Sequence, residues 1–247
     1  MVVESVIASD LSDWRYNISA YNASAGANNG ATVVLYSAAL CHVALFFCVL
    51  YVVVGVPCNL LTVAALLRSR PLRTSSTNQL VVNLAIADLI FCAVSLPVQA
   101  TRYVRRAWTL GAALCRAFPL VFYGNLAVSI MTMMMIAVNR YLVVVHGALY
   151  RRACAGGGAT AAAIVFCWAF AGAMLMPTYA GAWGEFGYVA ETFSCSFLAK
   201  DGRDAQPYLF TIGVGVPLAV IVPCYARIIA VARAVCHLSI TIRVNLG

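Results

Sequence analysis

Charge is what this sequence has least of. Asp, Glu, Lys and Arg together make up 10% of 247 residues, against about 25% in a soluble domain. So little charge on so long a chain excludes a soluble enzyme and a disulfide-stapled secreted module. It also excludes a nucleic-acid partner, although the net charge of +8 taken alone would suggest one. No Cys-x-x-Cys or Cys/His set has metal-ligand spacing. Glu4, Asp10 and Asp13 interrupt the place where the apolar core of a cleavable leader would sit, so the first helix is expected to act as its own insertion signal. There is no internal repeat of the kind transporters carry. With Asp88 the one acid and His42 the one histidine inside apolar stretches, an intramembrane enzyme lacks its chemistry, and no catalytic residue is assigned.

What fills the chain instead is hydrophobic: 63% of residues, with a mean hydropathy of +0.90. Stretches free of charge run over Ala31–Leu67, Thr74–Thr101 (broken by Asp88), Ala117–Asn139, Ala153–Gly184 and Ala205–Ala226. A helix crosses the hydrocarbon core with about 20 apolar residues, because each residue rises about 1.5 Å and lipid offers no partner to an unpaired backbone group. All five stretches qualify. The expected fold is an all-α integral membrane bundle of five helices, with spans near 41–67, 77–101, 114–142, 157–180 and 206–231.

Charge then orients the bundle. If residues 1–35 lie outside, the segments left inside hold Arg68, Arg70, Arg73, Arg140, Arg151, Arg152, Arg227, Arg233 and Arg243 and no acid, whereas seven basic and seven acidic residues share the outside. Lys and Arg resist translocation, so the N-terminus is outside and residues 230–247 form a cytoplasmic tail after the 36–229 bundle. Asn17-Ile18-Ser19 and Asn22-Ala23-Ser24 are glycosylation sequons used only in the secretory lumen, which agrees. Cys41, Cys48, Cys58, Cys92, Cys167 and Cys224 fall within spans and act as small apolar residues. Cys115 and Cys195 fall outside, where the oxidising compartment favours a disulfide. Cys154 and Cys236 lie near the cytoplasmic face as reduced thiols or palmitoylation sites.

Polar groups inside spans cost free energy and need partners or water. Asp88, Asn59, Asn125 and Ser129 are such groups, the last two four residues apart and so on one helix face. They either build one polar pocket or hydrogen-bond neighbouring helices. Pro57, Pro97, Pro177, Pro217 and Pro223 also fall in spans; each frees a carbonyl and kinks its helix.

Order and spacing of short motifs carry the strongest signal. They are Gly55-Val56-Pro57-Cys58-Asn59, Asn83-Leu84-Ala85-Ile86-Ala87-Asp88, Trp108-Thr109-Leu110-Gly111, Cys115, Asn139-Arg140-Tyr141, His146-Gly147-Ala148-Leu149-Tyr150, Trp168, Pro177, Cys195, Pro217 and Tyr225. Taken in register across residues 55–228, they resemble the rhodopsin-like (class A) G-protein-coupled receptors. The Asn-Arg-Tyr triplet with Cys224-Tyr225-Ala226-Arg227-Ile228 resembles the orphan subgroup that includes trapped in endoderm and moody. The resemblance implies a plasma-membrane receptor, not an enzyme, whose partners are an extracellular ligand, a heterotrimeric G protein, membrane lipids and further receptor copies. It implies that Cys115 and Cys195 pair, tying the second outer loop to the third helix. Asn139, Arg140 and Tyr141 with Tyr225 would be the activation switch that meets the G protein, and Asp88, Asn125, Ser129 and Asn59 an allosteric sodium pocket. That last fits a hard cation's preference for oxygen ligands.

Two departures from the family pattern matter. Asn139 stands where the family has an acid that pairs with the adjacent Arg, so higher basal activity is expected of a full-length version. After Ile229 the chain runs to Gly247 without a sixth or seventh span or the Cys-Trp-x-Pro and Asn-Pro-x-x-Tyr motifs. It therefore reads as a truncated gene model, splice form or fragment that does not signal alone and is retained in the endoplasmic reticulum or reaches the surface. The alternative is a five-span, non-signalling form that associates with and regulates the intact receptor. By the same resemblance Phe122, Tyr123 and Leu126 face the ligand, and Phe122 in place of an acid disfavours an amine. Arg102, Arg105, Arg106 and Arg116 cluster outside against the charge trend. They either recognise an anionic lipid or carboxylate or pair with Glu185, Glu191, Asp201 and Asp204.

Overall fold

A computed structural model describes residues 37–153 and 157–246; the sequons at Asn17 and Asn22 and the thiol of Cys154 lie outside the described residues. In chain order the elements are α1 (Ala38–Arg68), α2 (Arg70–Thr74), α3 (Ser76–Ile90), α4 (Leu96–Arg105), α5 (Ala112–Val145), α6 (Gly147–Ala153), α7 (Gly157–Tyr179), strands β1 (Glu185–Val189) and β2 (Ser194–Leu198), α8 (Gln206–Phe210) and α9 (Val216–Leu246). Among the described residues five helices are long and apolar enough to cross a membrane: Ala38–Arg68, Ser76–Arg105, Ala112–Val145, Gly158–Tyr179 and Gln206–His237. Most overrun the spans read from hydropathy, since helical hydrogen bonding continues into the interfacial layers beyond the hydrocarbon. The largest overrun is at the end, where helix continues to Leu246 through residues expected to be tail.

Two spans are composite, for the same local reason. One turn of π-helix, Phe91–Ser95, joins α3 to α4, and another, Thr211–Gly215, joins α8 to α9. Pro97 and Pro217 each follow two residues later. Proline brings no N–H to the ladder and its ring pushes away the carbonyl one turn back, so the helix widens ahead of it.

By contacts the chain forms two compact units. Among the described residues the first comprises 37–56, Phe91–Tyr123 and Leu175–Gln206; the second comprises Pro57–Ile90, 124–153, 157–174 and 207–246. In the first, Cys48 of α1 packs on Cys92 and Leu96 with Val52, Val56 and Tyr103. Gly55 permits the approach, because a Cβ there would stand 2.7 Å from the Cys92 sulfur. A second cluster gathers Trp108, Cys115, Phe118 and Cys195 with Phe122 and Tyr188. β1 and β2 pair antiparallel, Gly187 opposite Ser196 and Tyr188 opposite Cys195. Composition places no strand in this loop. In the second unit the core is made of small residues, Ala87, Ala127, Val128 and Ala171, packed by Met174; without a hydrophobic drive between helices in lipid, such residues bring backbones close enough for dispersion to hold them. Large apolar side chains such as Leu61 and Val165 point outward, where lipid receives them.

Candidate functional site

The second unit holds a ladder of polar contacts between α3 and α5. Asn125, Ser129, Thr132 and Asn139 are spaced by four, three and seven residues, which keeps them on one face of α5. Each meets α3. The Asn125 amide donates to the carbonyl of Ala87 at 3.0 Å, and the Ser129 hydroxyl faces Asp88 Oδ1 at 3.5 Å. Asn83 donates to Thr132 Oγ1 at 2.9 Å and accepts from the Trp168 indole of α7 at 3.0 Å. Asn139 donates to Thr77 Oγ1 at 2.8 Å. Asn83 thus clasps three helices with one side chain, and Thr132 is satisfied further by its bond to the Val128 carbonyl at 2.7 Å. Interhelical bonds of this kind contribute about 0.6–2 kcal/mol each.

Within this ladder Asp88 and Ser129 come together, with Asn125 one turn above Ser129. Asn125 is buried, and among the described residues its Oδ1 has no hydrogen-bond partner. A carboxylate, a hydroxyl and an unclaimed carbonyl oxygen form the oxygen-rich donor set that a hard monovalent cation accepts. Asn59 is half-buried on α1. At the end of α5, Arg140 is exposed while Asn139 is held by Thr77, and the Tyr141 hydroxyl meets His146 Nε2 at 3.0 Å. Tyr225 is exposed on α9.

In the first unit Cys115 and Cys195 form a disulfide across a sequence separation of 80, fixing β2 to the start of α5. Beside it the Trp108 indole donates to the Gly111 carbonyl at 2.9 Å; Gly111 has φ +82°, a conformation glycine adopts without strain. That bond gives the Trp-Thr-Leu-Gly motif its physical content, a closed loop that delivers α5 to the disulfide. Tyr123 bonds Ser196 at 2.8 Å and stacks on Phe197 at 4.6 Å, and Phe122 packs against Phe91 and Phe118. Leu126, the third residue expected at the ligand, is exposed.

The arginine cluster divides. Arg105 and Arg106 are exposed. Arg116 is also exposed, donating to the Tyr179 carbonyl at 3.4 Å. Arg102 is buried, donating to the Thr192 carbonyl at 2.7 Å and the Tyr103 hydroxyl at 2.6 Å, with its guanidinium 4.4 Å from the Tyr103 ring centroid. Pairing with the acids of the next loop is not how Arg102 is held; Glu185 bonds Lys200 at 3.1 Å instead. Tyr188, in the same loop, has its phenol pushed above the ordinary range, by burial first and by the Glu191 carboxylate second.

Thr77 and Thr132 are hydrogen-bond partners within the candidate site that sequence reasoning missed. Thr132 was legible, being three residues beyond Ser129 on the same face; Thr77 was not, since nothing local ties it to Asn139.

Comparison with known proteins agrees with the motif order. The family model "7 transmembrane receptor (rhodopsin family)" matches residues 58–237. Protein trapped in endoderm-1 of Drosophila melanogaster is 40% identical over 178 residues, 72% of this chain and 45% of that protein. G-protein coupled receptor moody of Drosophila pseudoobscura pseudoobscura is 41% identical over 180 residues, 72% of this chain and 26% of its own length. The chain therefore matches less than half the length of these curated relatives. In fold it superposes on squid rhodopsin with a TM-score of 0.69 at 21% identity, covering 85% of this chain and 57% of the rhodopsin. This multi-pass membrane chain belongs to the rhodopsin family of seven-transmembrane receptors.

Proposed function

We propose that the chain supplies the first five helices of a plasma-membrane receptor that passes an extracellular signal to a heterotrimeric G protein through Arg140. One observation carries this. Arg140 is exposed at the end of α5 that the arginine asymmetry assigns to the cytoplasm, and the residue beside it is an amide engaged with Thr77, not an acid engaged with Arg140. A guanidinium without an adjacent counter-charge is available to donate to carbonyls or carboxylates of a partner. The extracellular ligand in this reading is an anionic lipid or carboxylate, because α4 and the loop after it gather arginines on the outer side.

A sodium ion at Asp88 belongs to the same reading. Ser129 and the unpartnered Oδ1 of Asn125 would hold it beside the carboxylate, and it would supply a positive charge that offsets a carboxylate placed at membrane depth.

The test is capture of a nucleotide-free G protein by membranes that contain the chain together with a fragment supplying two further spans of the moody receptor. The wild-type chain is expected to capture it and Arg140→Ala to lose it; equal capture by both would overturn the reading. Should neither capture a G protein while the chain co-precipitates with an intact receptor and changes its surface level, the five-span regulatory reading takes its place.

A further inference from the structure

The second unit contains a groove that the polar ladder does not use. It has a volume of about 260 Å³ and lies where the end of α1 and the short helix α2 meet α3 and the first half of α7. Leu66 and Leu67 of α1, Val82 of α3, and Ala161 and Ile164 of α7 make its apolar wall; Leu72 and Arg73 of α2 also line it. Asn78 donates to the Leu72 carbonyl at 3.0 Å, and Gln79 donates to the Arg73 carbonyl at 3.1 Å. The two amides pin to α3 the backbone of both α2 residues that line the groove, so its shape is set before anything enters it.

Size, surroundings and charge together describe the occupant. Pockets that enclose a whole drug-sized molecule run to about 300–1,000 Å³, so a space of about 260 Å³ receives one segment of a longer molecule. The wall is aliphatic and stands among side chains that face lipid, which suits an acyl chain whose remainder stays in the bilayer. Arg73 is exposed, and among the described residues it is the one charged residue that lines the groove. Arg70 lies three residues earlier on the same face of α2, and Arg68 ends α1. No acid occurs between Asp13 and Asp88, and none occurs in α7, so neither wall of the groove supplies a counter-charge. This is also the side that the arginine asymmetry assigns to the cytoplasm, where the leaflet carries anionic lipid.

We propose that this groove binds one anionic glycerophospholipid, with an acyl chain against Leu66, Ala161 and Ile164 and the headgroup phosphate accepting from Arg73. The planar guanidinium donates to two phosphate oxygens at once, and Arg70 adds its charge from the same face. The acyl chain alone discriminates little, because it leaves one apolar surrounding for another. Selectivity therefore resides in Arg73, and a zwitterionic lipid enters the groove without preference. The site requires a membrane and no G protein, so it stands apart from the receptor reading.

The test counts the first lipid retained by the purified 247-residue chain in native mass spectrometry. The mixed micelles hold equal amounts of dioleoyl-phosphatidylserine and dioleoyl-phosphatidylcholine. Wild type is expected to retain phosphatidylserine about fivefold over phosphatidylcholine, the effect of about one arginine at a membrane surface. Arg73→Gln should bring the ratio close to one, whereas Arg151→Gln with Arg152→Gln, two exposed arginines of α6 outside the groove, should leave it unchanged. Ala161→Phe fills the groove and should abolish the preference with Arg73 still in place. A wild-type ratio near one, a ratio unchanged in Arg73→Gln, or a preference kept in Ala161→Phe would each overturn the proposal. Cholesterol that displaces phosphatidylserine at equal concentration, in wild type and Arg73→Gln alike, would give the groove to a sterol and overturn it too. If the variants do not fold, labelling of the wild type decides. Phosphatidylserine with a photoactivatable acyl chain should mark the peptides holding Leu66 and Ala161 about fivefold more than the matching phosphatidylcholine, and equal labelling would sink the assignment.

Discussion

Asn139 donates its amide to Thr77 Oγ1 at 2.8 Å, so the residue in front of Arg140 is tied to the second span and contributes no charge to its neighbour. Restoring the charge should restrain the arginine. In a full-length receptor, Asn139→Asp is expected to lower basal G-protein activation about two- to fivefold, about 0.5–1 kcal/mol for a solvent-screened pair. Nucleotide exchange without ligand measures it, and basal exchange equal to wild type would contradict the role given to Asn139.

Asn83 satisfies Thr132 and Trp168 at once. Asn83→Ala removes both bonds, and the expected loss of stability is about 2 kcal/mol, whereas Trp168→Phe removes one bond and costs about 1 kcal/mol. Thermal unfolding in detergent should rank wild type above Trp168→Phe above Asn83→Ala. A reversed order would show that packing of the Trp168 ring outweighs the hydrogen bond.

How much of this was legible in the sequence follows from the range of each interaction. The five spans were readable because lipid imposes a length rule on contiguous residues, and the family was readable because its short motifs keep their order and spacing along the chain. The face shared by Asn125 and Ser129 was readable because helical periodicity is local. Which outer arginine is buried was not: Arg102, Arg105 and Arg106 differ only in how α4 is rotated after the π turn at Phe91–Ser95, and that rotation depends on packing against Cys48 and Thr192. The β-hairpin was hidden for a similar reason, since strands of five residues pinned by a disulfide need little propensity of their own.

Tyr188 gives the outer loop a pH dependence. Burial and then Glu191 raise its phenol above the ordinary value of 10.0, so the fold favours the neutral form. Stability from this group is complete below about pH 10 and is lost as the pH rises past it. Hydrogen exchange of β1 should accelerate above about pH 10 in wild type and less so in Tyr188→Phe; identical profiles would remove Tyr188 from the account.

Sodium should stabilise the wild type through Asp88. Replacing choline chloride with sodium chloride at constant ionic strength is expected to raise the unfolding temperature by about 2–4 °C, with Asp88→Asn indifferent to the exchange and Ser129→Ala intermediate. Equal sodium response in Asp88→Asn would exclude this carboxylate as the ligand.

The most direct test of the receptor reading is guanine-nucleotide exchange on purified heterotrimeric G protein, driven by the chain co-purified with a fragment that supplies two further spans from trapped in endoderm-1. The account predicts exchange above the G protein's own rate, abolished by Arg140→Ala. An assembly that co-purifies intact and yet gives the same rate for the wild type and for Arg140→Ala would contradict it.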